Sequence, residues 1–263
     1  MPSSLLPMST GLERFPVAPL NSQTSGRISV VSPPAAGRGV SSALSSKGLS
    51  ALCDSSLAEL ERIAPTSSFP KGAVLYLEGQ ASRGVYILCQ GRVKLMAAGR
   101  DGKTLILRIA QPGEILGLQS MASGSPYELT VETLQPCQLA FINRAEFIRF
   151  LREHPDAALH MAQQLSNECQ AAYEILRSVA LSQSVPEKLA RLLLQWAGDG
   201  LVRDGFTHLK LTLTHEEIAQ LIGSTRETVT RTLSEMKKQR VLDRTGATLL
   251  IRDRAALERL ARA

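Results

Sequence analysis

Residues 213–242 read LTHEEIAQLIGSTRETVTRTLSEMKKQRVL, and a Gly-Ser-Thr break separates two segments of helical periodicity within them. The first segment carries its apolar residues on one side: Ile218, Leu221 and Ile222. Gly223 follows at a position where the chain must turn tightly if the second helix is to lie across the first. Two helices joined in this way predict a helix-turn-helix, in which the first turns of the second helix face the major groove of DNA.

Polar residues nearly fill the first two turns of the second segment. Its predicted buried side consists of Val229, Leu233 and Met236. The residues left on the outside are Thr225, Arg226, Glu227, Thr230 and Arg231. Arginine matches the N7 and O6 acceptors of guanine, and glutamate accepts a hydrogen bond from the amino group of cytosine. The sequence therefore predicts Arg226, Glu227 and Arg231 as base-reading residues.

Hydroxyl and amino groups around these readers suit the phosphate backbone. Threonine side chains and free backbone amides at a helix start can donate to phosphates. The residues that we assign to backbone contacts, or to their support, are Thr214, Ser224, Thr225, Thr228, Thr230 and Lys237. Lys238 and Arg240 continue the positive surface. The alternative is a solvated helix face on which Glu227 and Arg231, at i and i+4, merely form an ion pair.

Flanking segments complete a winged helix-turn-helix domain over residues 184–263. SVPEKLARLLLQWAG predicts a helix that Ser184 caps and Gly198 stops. HLKLTL then predicts a strand, and VLDRTGATLLIRD predicts a hairpin around Thr245 and Gly246. RAALERLARA predicts a short final helix.

Residues 155–183 contain no glycine and no internal proline and are rich in good helix formers, so they predict one long helix. Small and apolar residues recur along it at alternating spacings of four and three: Ala158, Ala162, Leu165, Cys169, Ala172, Leu176 and Val179. Such a stripe is typical of a helix that pairs with a second helix, so we predict a parallel homodimer through it. The alternative is an amphipathic helix that packs only on its own chain.

Short runs of branched and aromatic residues lie between glycines over residues 69–143, among them AVLYLEGQ, GVYILCQG and CQLAFINR. Asp101 and Gly102 give a strong hairpin signal. This texture predicts an all-β sandwich or barrel. NRAEFIRFLREHP, which follows it, predicts a short helix closed by Pro155.

Composition adds constraints on the two ends of the chain. Residues 1–48 are rich in Ser, Pro, Gly and Ala, and they predict a disordered tail. The formal net charge of +6 divides into +3 over 1–48, −1 over 49–185 and +4 over 186–263, and a basic C-terminal third favours a polyanionic partner. No apolar run approaches the roughly 20 residues that span a bilayer, and no signal-peptide pattern is present. We therefore expect a cytoplasmic protein without a membrane partner.

The stretch IGSTRETVTRTLSEMKKQRVL resembles the recognition element of the CRP/FNR family of bacterial transcription regulators. The order of parts also resembles that family over roughly residues 50–255. The resemblance implies an α+β fold with an eight-strand β jelly-roll sensor domain over 49–154. It further implies a dimerisation helix over 155–183 and a winged helix-turn-helix domain over 184–263.

The resemblance also implies a DNA site. In the CRP branch of the family, the motif R-E-T-V-x-R reads a TGTGA-type half-site. Arg226, Glu227 and Arg231 occupy its three reading positions, which implies a homodimer on an inverted repeat of that type. The FNR branch reads with Glu, Ser and Arg, and Thr230 is only a partial match to that serine. RNA polymerase is a further partner that the resemblance implies.

The sensor segment departs from the family's cyclic-nucleotide pattern. That pattern has a ribose-binding glutamate in a G-E-L segment and, downstream, an R-S or R-T pair that holds the cyclic phosphate. In PGEILGLQSMASGSPYELTVETL, Gly117 fits, but Leu118 stands in place of the glutamate, and Glu128 and Leu129 fall where the Arg-Ser pair belongs. A carboxylate there would repel a phosphate. We predict no tight binding of cyclic AMP or cyclic GMP, and the effector stays unassigned.

Other inputs of the same family have less support in the sequence. An FNR-type iron–sulfur cluster needs a cysteine cluster near the N-terminus, where only Cys53 lies. A haem ligand could come from His154, His160 or Cys89, but a surface histidine is the commoner outcome. The prediction is therefore no cofactor, and a haem-dependent gas or redox sensor stays an alternative. A regulator without any small-molecule ligand, whose jelly roll is a scaffold for dimerisation or polymerase contact, is another.

Jelly rolls also form cupin metalloenzymes, which need several histidines and a carboxylate inside the barrel. All four histidines fall outside residues 69–143: His154, His160, His208 and His215. The four cysteines lie at least 32 positions apart, so no metal clip is present either. The sequence therefore predicts no bound metal and no enzyme.

Overall fold

The structure, a computed structural model, describes most of the chain from residue 49 onward. The described parts are residue 49 and residues 52–99, 101–180, 184–198, 201–203, 206–210, 213–246 and 248–262. The predicted disordered tail over 1–48 lies outside them. Side chains are not described for 177–180, 201–203 and 210.

A β-sandwich forms the N-terminal half. Helix α1 (Asp54–Ile63) precedes it, and a short helix, α2 (Leu118–Ser123), follows its sixth strand. The strands are β1 (Thr66–Phe69), β2 (Val74–Tyr76), β3 (Gly84–Gln90), β4 (Val93–Ala98), β5 (Thr104–Ala110), β6 (Ile115–Leu116), β7 (Thr130–Thr133) and β8 (Cys137–Asn143). They pair in two antiparallel four-stranded sheets, in the orders β1-β8-β3-β6 and β2-β7-β4-β5. The predicted eight-strand sandwich is confirmed.

Strand β3 shows why apolar alternation is weak in this sandwich. Its sequence, GVYILCQ, is buried at every position but the last. Val85, Ile87 and Cys89 point to a core that lies under the helices, while Tyr86 and Leu88 point between the two sheets. Successive side chains of a strand face opposite sides, so a strand covered on both faces is apolar throughout.

Neither α1 nor α2 follows from the sequence patterns above. Leu57, Leu60 and Ile63 give α1 a helical apolar spacing, and the last two are buried in the core under the helices. The start of α1 is tied to the long helix: the backbone N–H of Cys53 donates to one carboxylate oxygen of Asp156 at 2.9 Å. A contact between residues so distant in sequence has no local signature.

The two predicted helices after the sandwich are present as α3 (Arg144–Glu153) and α4 (Pro155–Ala180), and residues 181–183 lie outside the described part. Helix α4 packs on the sandwich through Ala157 and Met161, which are buried. The amide of Gln164 also binds the backbone of Ile115 twice, as donor at 2.7 Å and as acceptor at 3.1 Å. The first half of α4 is therefore fixed to the edge strand β6.

The C-terminal domain has its own core. Its elements are α5 (Val185–Ala197), β9 (Leu201–Arg203), β10 (Phe206–Lys210), α6 (His215–Ile222), α7 (Arg226–Lys238), β11 (Leu242–Thr245), β12 (Thr248–Ile251) and α8 (Arg254–Leu260). The strands form one sheet in the order β11-β12-β10-β9. Buried side chains of α5, α6 and α7 pack together with those of this sheet. The predicted winged helix-turn-helix is present, and β9 is an additional strand.

The two domains touch where the helix-turn-helix lies beside the β4–β5 hairpin. Lys94 on β4 binds Glu132 on β7, with Nζ and Oε1 3.0 Å apart, and its Nζ lies 3.9 Å from Glu217 on α6. A Cβ atom added at Gly223 would lie 3.8 Å from Leu105 Cδ1 on β5. An edge of the helix-turn-helix therefore rests on the N-terminal sandwich.

Candidate nucleic-acid interface

The turn between α6 and α7 depends on Gly223. Its φ of 64° lies in the left-handed region, which costs a residue with a Cβ roughly 1–2 kcal/mol. The backbone N–H groups of Gly223 and Ser224 both donate to the carbonyl oxygen of Ala219. This arrangement closes α6 in one turn and lets α7 begin three residues later.

The three predicted base-reading residues lie together at the start of α7, as the sequence predicts. Arg226, Glu227 and Arg231 are exposed, whereas Val229 and Met236 are buried. Within the described part of the chain, the three charged side chains form no hydrogen bond and no ion pair. The Glu227–Arg231 pair of the solvated-face alternative is thus not formed, and the polar groups remain available to an external partner.

The predicted phosphate-contacting hydroxyls also build the motif itself. Thr214 caps α6 by a capping box with Glu217: the backbone N–H of Glu217 donates to Thr214 Oγ1 at 3.2 Å, and the Thr214 N–H donates back to the carboxylate at 2.8 Å. Thr225 caps α7, since its Oγ1 accepts from the Thr228 N–H at 3.3 Å. The two hydroxyls of Thr225 and Thr228 lie 3.0 Å apart. Ser224 is half-buried. These hydroxyls define the helix starts from which the amides point outward.

A positive surface continues past α7 onto the wing, the β11–β12 hairpin. Asp243 on β11 joins the two parts, because it pairs with Lys237 at 3.4 Å and with Arg252 at 2.9 Å. Backbone and side-chain hydrogen bonds from Arg244, Arg252 and Lys237 hold the pKa of Asp243 below its usual value. Lys237 is therefore a partly neutralised cation, while Lys238 is exposed.

His215 is a functional candidate that the sequence patterns miss. It is the first residue of α6, and its Nδ1 lies 2.9 Å from Oγ1 of Thr230 on α7. Partial burial lowers its pKa below the usual value of 6.5, and the positive charges of Arg244 and Arg226 lower it further. Three elements of the DNA-binding motif thus converge on one imidazole. A single histidine at a helix start has no distinctive local pattern, so only the fold reveals this contact.

The exposed face of α4 overlaps the predicted dimer stripe without matching it. Ala162, Cys169, Ala172 and Leu176 are exposed and Ala158 is half-buried, while the side chain of Val179 lies outside the described part. Leu165 is the exception, because it packs on the core of its own sandwich.

Two large residues that the predicted stripe omits are exposed on α4. Leu159 and Tyr173 show 62% and 63% of their surface, close to the 65% of Leu176. We call the set Leu159, Ala162, Cys169, Tyr173 and Leu176 the exposed apolar stripe. Large apolar side chains left open in this way are typical of an interaction surface.

Aromatic side chains pack in the interior of the sandwich near residues 112–134, the segment compared above with the cyclic-nucleotide pattern, which we call the cassette segment. Tyr76 stacks on Tyr127 with ring centroids 3.8 Å apart, and Tyr86 lies 6.0 Å from Tyr76. The hydroxyl of Tyr127 donates to the carbonyl oxygen of Gly84 at 2.8 Å. Burial raises the pKa of Tyr86 to about 12, so this phenol stays neutral. Tyr127 immediately precedes Glu128, the position at which the sequence already departs from the phosphate-binding pattern.

Three residues of the cassette segment differ in charge or in surroundings from the family's cyclic-nucleotide pattern. Leu118 is buried and apolar where a ribose-binding carboxylate would be needed. Glu128 has a pKa above its usual value, first because of burial and then because of the nearby charge of Glu168. A Cβ added at Gly117 would lie 2.9 Å from the Tyr127 ring, which therefore covers the backbone that would receive the ligand. Both the charge and the space differ from what the phosphate requires.

A cavity of about 420 Å³ lies between the β5–β6 connection and α4. Arg108 lines this cavity, and its guanidinium forms ion pairs with the carboxylates of Glu114 and Glu168. His160 lines the same cavity, and burial lowers its pKa. Because two carboxylates already bind Arg108, its guanidinium is not free to bind a phosphate in this cavity.

The three candidate haem ligands lie in different settings. Cys89 is buried in a strand, and burial raises the pKa of its thiol to about 11. His154 Nδ1 lies 2.9 Å from Ser56 Oγ, and its ring centroid lies 4.7 Å from that of Phe150. His160 faces the cavity beside α4. Within the described ranges, no cluster of three or more potential metal ligands occurs, and no helix could cross a bilayer.

Comparison with known proteins agrees with this architecture. The family model of the cyclic nucleotide-binding domain matches residues 66–154, and that of the Crp-like helix-turn-helix domain matches residues 187–260. A CRP-like cAMP-activated global transcriptional regulator of Mycobacterium tuberculosis is 27% identical over 209 residues, which cover 79% of this chain and 93% of that protein.

Solved structures show the same likeness. A transcriptional regulator of the CRP/FNR family from Thermus thermophilus superposes with a TM-score of 0.61 at 26% identity, over 75% of this chain and 98% of that one. FixK2 from Bradyrhizobium japonicum gives a TM-score of 0.67 at 23% identity, over 76% of this chain and 98% of that one, which shows a shared fold.

Proposed function

The chain belongs to the CRP/FNR family of DNA-binding transcription regulators, whose members are not enzymes, and we propose that it binds a TGTGA-type inverted repeat as a homodimer. One observation carries this proposal. Arg226, Glu227 and Arg231 are exposed at the start of α7 and, in the described chain, have no partner of their own. An arginine that is not paired within the protein can donate two N–H groups to N7 and O6 of one guanine, and an unpaired glutamate can accept a hydrogen bond from cytosine.

The exposed apolar stripe of α4 supports the homodimer. More than half of the surface of three large side chains on this stripe is exposed: Leu159, Tyr173 and Leu176. A second α4 packed against them would bury this surface. Burial of apolar surface contributes about 25 cal/mol per Å², so these three side chains alone favour association. Two recognition helices related by a two-fold axis would then reach major grooves one turn of DNA, about 34–36 Å, apart.

The sensor input is proposed to be something other than cyclic AMP or cyclic GMP. Several relatives are named for activation by cyclic AMP, but the residues of this chain do not fit that ligand. The stacked rings of Tyr76 and Tyr127, the apolar Leu118 and the carboxylate of Glu128 support this proposal.

A second candidate is a regulator that needs no small molecule at all. The packed aromatic interior favours it, because a side chain, Tyr127, already makes the hydrogen bond and ring contacts that a bound ligand would otherwise supply. The sandwich would then serve as a scaffold for dimerisation and for contact with RNA polymerase in the cytoplasm. Full DNA affinity in protein that carries no ligand supports this candidate, and a requirement for an added effector contradicts it.

One experiment tests the proposal directly. Purified full-length protein is used to select binding sites from a pool of random DNA duplexes, and its native mass is recorded before and after selection. The expected result is an inverted repeat with TGTGA-type half-sites and a mass of two chains. Selection of no sequence, or of a single half-site by a monomer, would contradict it. The same native mass reveals any bound effector or haem.

A further inference from the structure

His215 holds a fixed orientation beside the recognition helix. Its Nδ1 lies 2.9 Å from Thr230 Oγ1, and the same hydroxyl donates to the carbonyl oxygen of Arg226 at 2.8 Å. A threonine hydroxyl has one proton to donate, and here the carbonyl takes it. The hydroxyl must therefore accept from His215, so Nδ1 carries the proton in the neutral imidazole.

This tautomer leaves Nε2 as a bare acceptor. Among the described residues, no group forms a hydrogen bond with Nε2, and the imidazole is half-buried. His215 is the first residue of α6, directly after the cap Thr214, and such helix starts lie against the phosphates in a helix-turn-helix. A lone pair that faces a phosphate oxygen is repulsive, whereas an N–H donates to it. His215 can bind a phosphate only when Nε2 is also protonated.

Charged groups on every neighbouring element decide when this happens. Arg226 on α7 and Arg244 on β11 place positive charge near the ring, and together with burial they favour its neutral form. On α6 itself, Glu216 is exposed, and the carboxylate of Glu217 is bound in the capping box and lies 3.9 Å from Lys94. The two arginines therefore dominate the field at the ring in the free protein.

DNA reverses this balance. Phosphates that approach the start of α6 and the wing neutralise the surrounding positive charge and add a negative charge beside Nε2. Both changes favour the imidazolium. We propose that His215 contacts the DNA backbone in its protonated form, so that each protomer takes up a proton at this residue when it binds its half-site.

The inference rests on the proposed function, because it requires that α7 enter DNA. Its sign follows from linkage: the DNA-bound state holds more protons than the free state, so affinity falls as pH rises through the interval between the two His215 pKa values. One proton per protomer allows a change of up to about tenfold per pH unit for each half-site. The lower end of the interval is below the usual histidine value, because the pKa of the free residue is lowered.

The test compares DNA affinity at pH 6 and pH 8 for the full-length protein on a duplex with a TGTGA-type inverted repeat, or on the selected site. We expect wild-type affinity to fall about tenfold or more across this range. His215→Gln keeps a donor toward Thr230 but cannot titrate, and its affinity should change by less than about twofold. His215→Lys carries a fixed charge, and it should retain at pH 8 most of the affinity that the wild type has at pH 6. His208→Gln, a change on β10 of the same domain, should keep the wild-type slope.

A second measurement does not depend on any variant. Calorimetric titration of wild-type protein with the duplex, in buffers of different ionisation enthalpy at pH 7, gives the number of protons taken up. Uptake approaching two per dimer supports the proposal, and no uptake overturns it, as does an equal pH slope in wild type and His215→Gln. Absence of any specific DNA site would instead contradict the proposed function. Specific binding without proton uptake would leave that function standing and remove only the role of His215.

Discussion

Tyr127 stacks on Tyr76 with ring centroids 3.8 Å apart, and its hydroxyl donates to the carbonyl oxygen of Gly84 at 2.8 Å. The two rings join β2 to the segment before β7, two neighbouring strands of one sheet, and the Tyr127 hydroxyl reaches Gly84 on β3 of the other sheet. Tyr127 also lies against Gly117, the cassette glycine that does fit the family pattern. The N-terminal sandwich thus matches the family model of the cyclic nucleotide-binding domain, and its own aromatic side chains pack beside Gly117.

The first prediction concerns cyclic nucleotides. Isothermal titration of the full-length protein with cyclic AMP and cyclic GMP should show no binding at micromolar concentrations, because Glu114 and Glu168 bind Arg108, and Glu128 stands where the family pattern has its phosphate-binding arginine. Tyr127→Ala serves as a comparison, since it opens space without supplying positive charge. It should still not bind. Micromolar affinity in the wild type would contradict the prediction that the chain binds neither nucleotide tightly.

The second prediction concerns the base readers. Arg226→Ala and Arg231→Ala should each weaken binding to the selected site by about 1–3 kcal/mol and relax the preference for the paired guanine. Arg254→Ala is a matched control. Arg254 is also an exposed arginine of this domain, but it lies on α8, outside the recognition helix, and pairs with Glu258. Fluorescence anisotropy on the cognate duplex and on a random duplex measures both effects. An equal loss on the two duplexes would identify the arginines as phosphate contacts.

The third prediction concerns the exposed apolar stripe of α4. The double variant Tyr173→Asp with Leu176→Asp places two carboxylates in this stripe. It should give a monomer in light scattering, since dimerisation would bury unpaired carboxylates between the helices. Gln170→Asp adds one negative charge, half of what the double variant adds, at an exposed position outside the stripe, and it should leave the dimer intact. A dimer that persists in the double variant would place the interface elsewhere on the molecule.

Leu165, a member of the predicted dimer stripe, shows that the spacing of apolar residues does not decide which neighbour a helix packs against. A heptad spacing fits it as well as it fits Leu176, yet Leu165 packs on its own sandwich and Leu176 is exposed. An α-helix has 3.6 residues per turn, so a repeat of 3.5 drifts around the helix, and one stripe can serve two neighbours. Leu159 and Tyr173 complete the outward face, which only the position of the sandwich reveals.

The sequence predicts the helix-turn-helix motif better than it predicts the contacts of α4. The tight turn at Gly223 follows from contacts within a few residues, so the sequence predicts it correctly. The stacking of Tyr127 on Tyr76 and the contact of His215 with Thr230 join residues that are distant in sequence. Such pairs depend on how strands and helices cross, and no spacing rule announces them.

The last prediction uses two glycines of the same domain that differ in backbone conformation. Gly223 ends α6 with φ at 64°, where an added Cβ is strained, while Gly198 ends α5 with φ at −61°, which any residue adopts. Gly223→Ala should lower the free energy of unfolding of this domain by about 1–2 kcal/mol. Gly198→Ala should raise it by about 0.4–1 kcal/mol, because alanine restricts the unfolded chain and, among the described residues, its Cβ would meet the Gln195 carbonyl oxygen alone, at 3.4 Å. Urea unfolding, followed by the fluorescence of Trp196 on α5, measures both variants.

DNA affinity separates strain from function, since Gly223→Ala should also displace α7 and weaken specific binding, whereas Gly198→Ala should not. Equal stability in the two variants would mean that the turn between α6 and α7 relaxes to accept a side chain, and that its geometry does not depend on glycine.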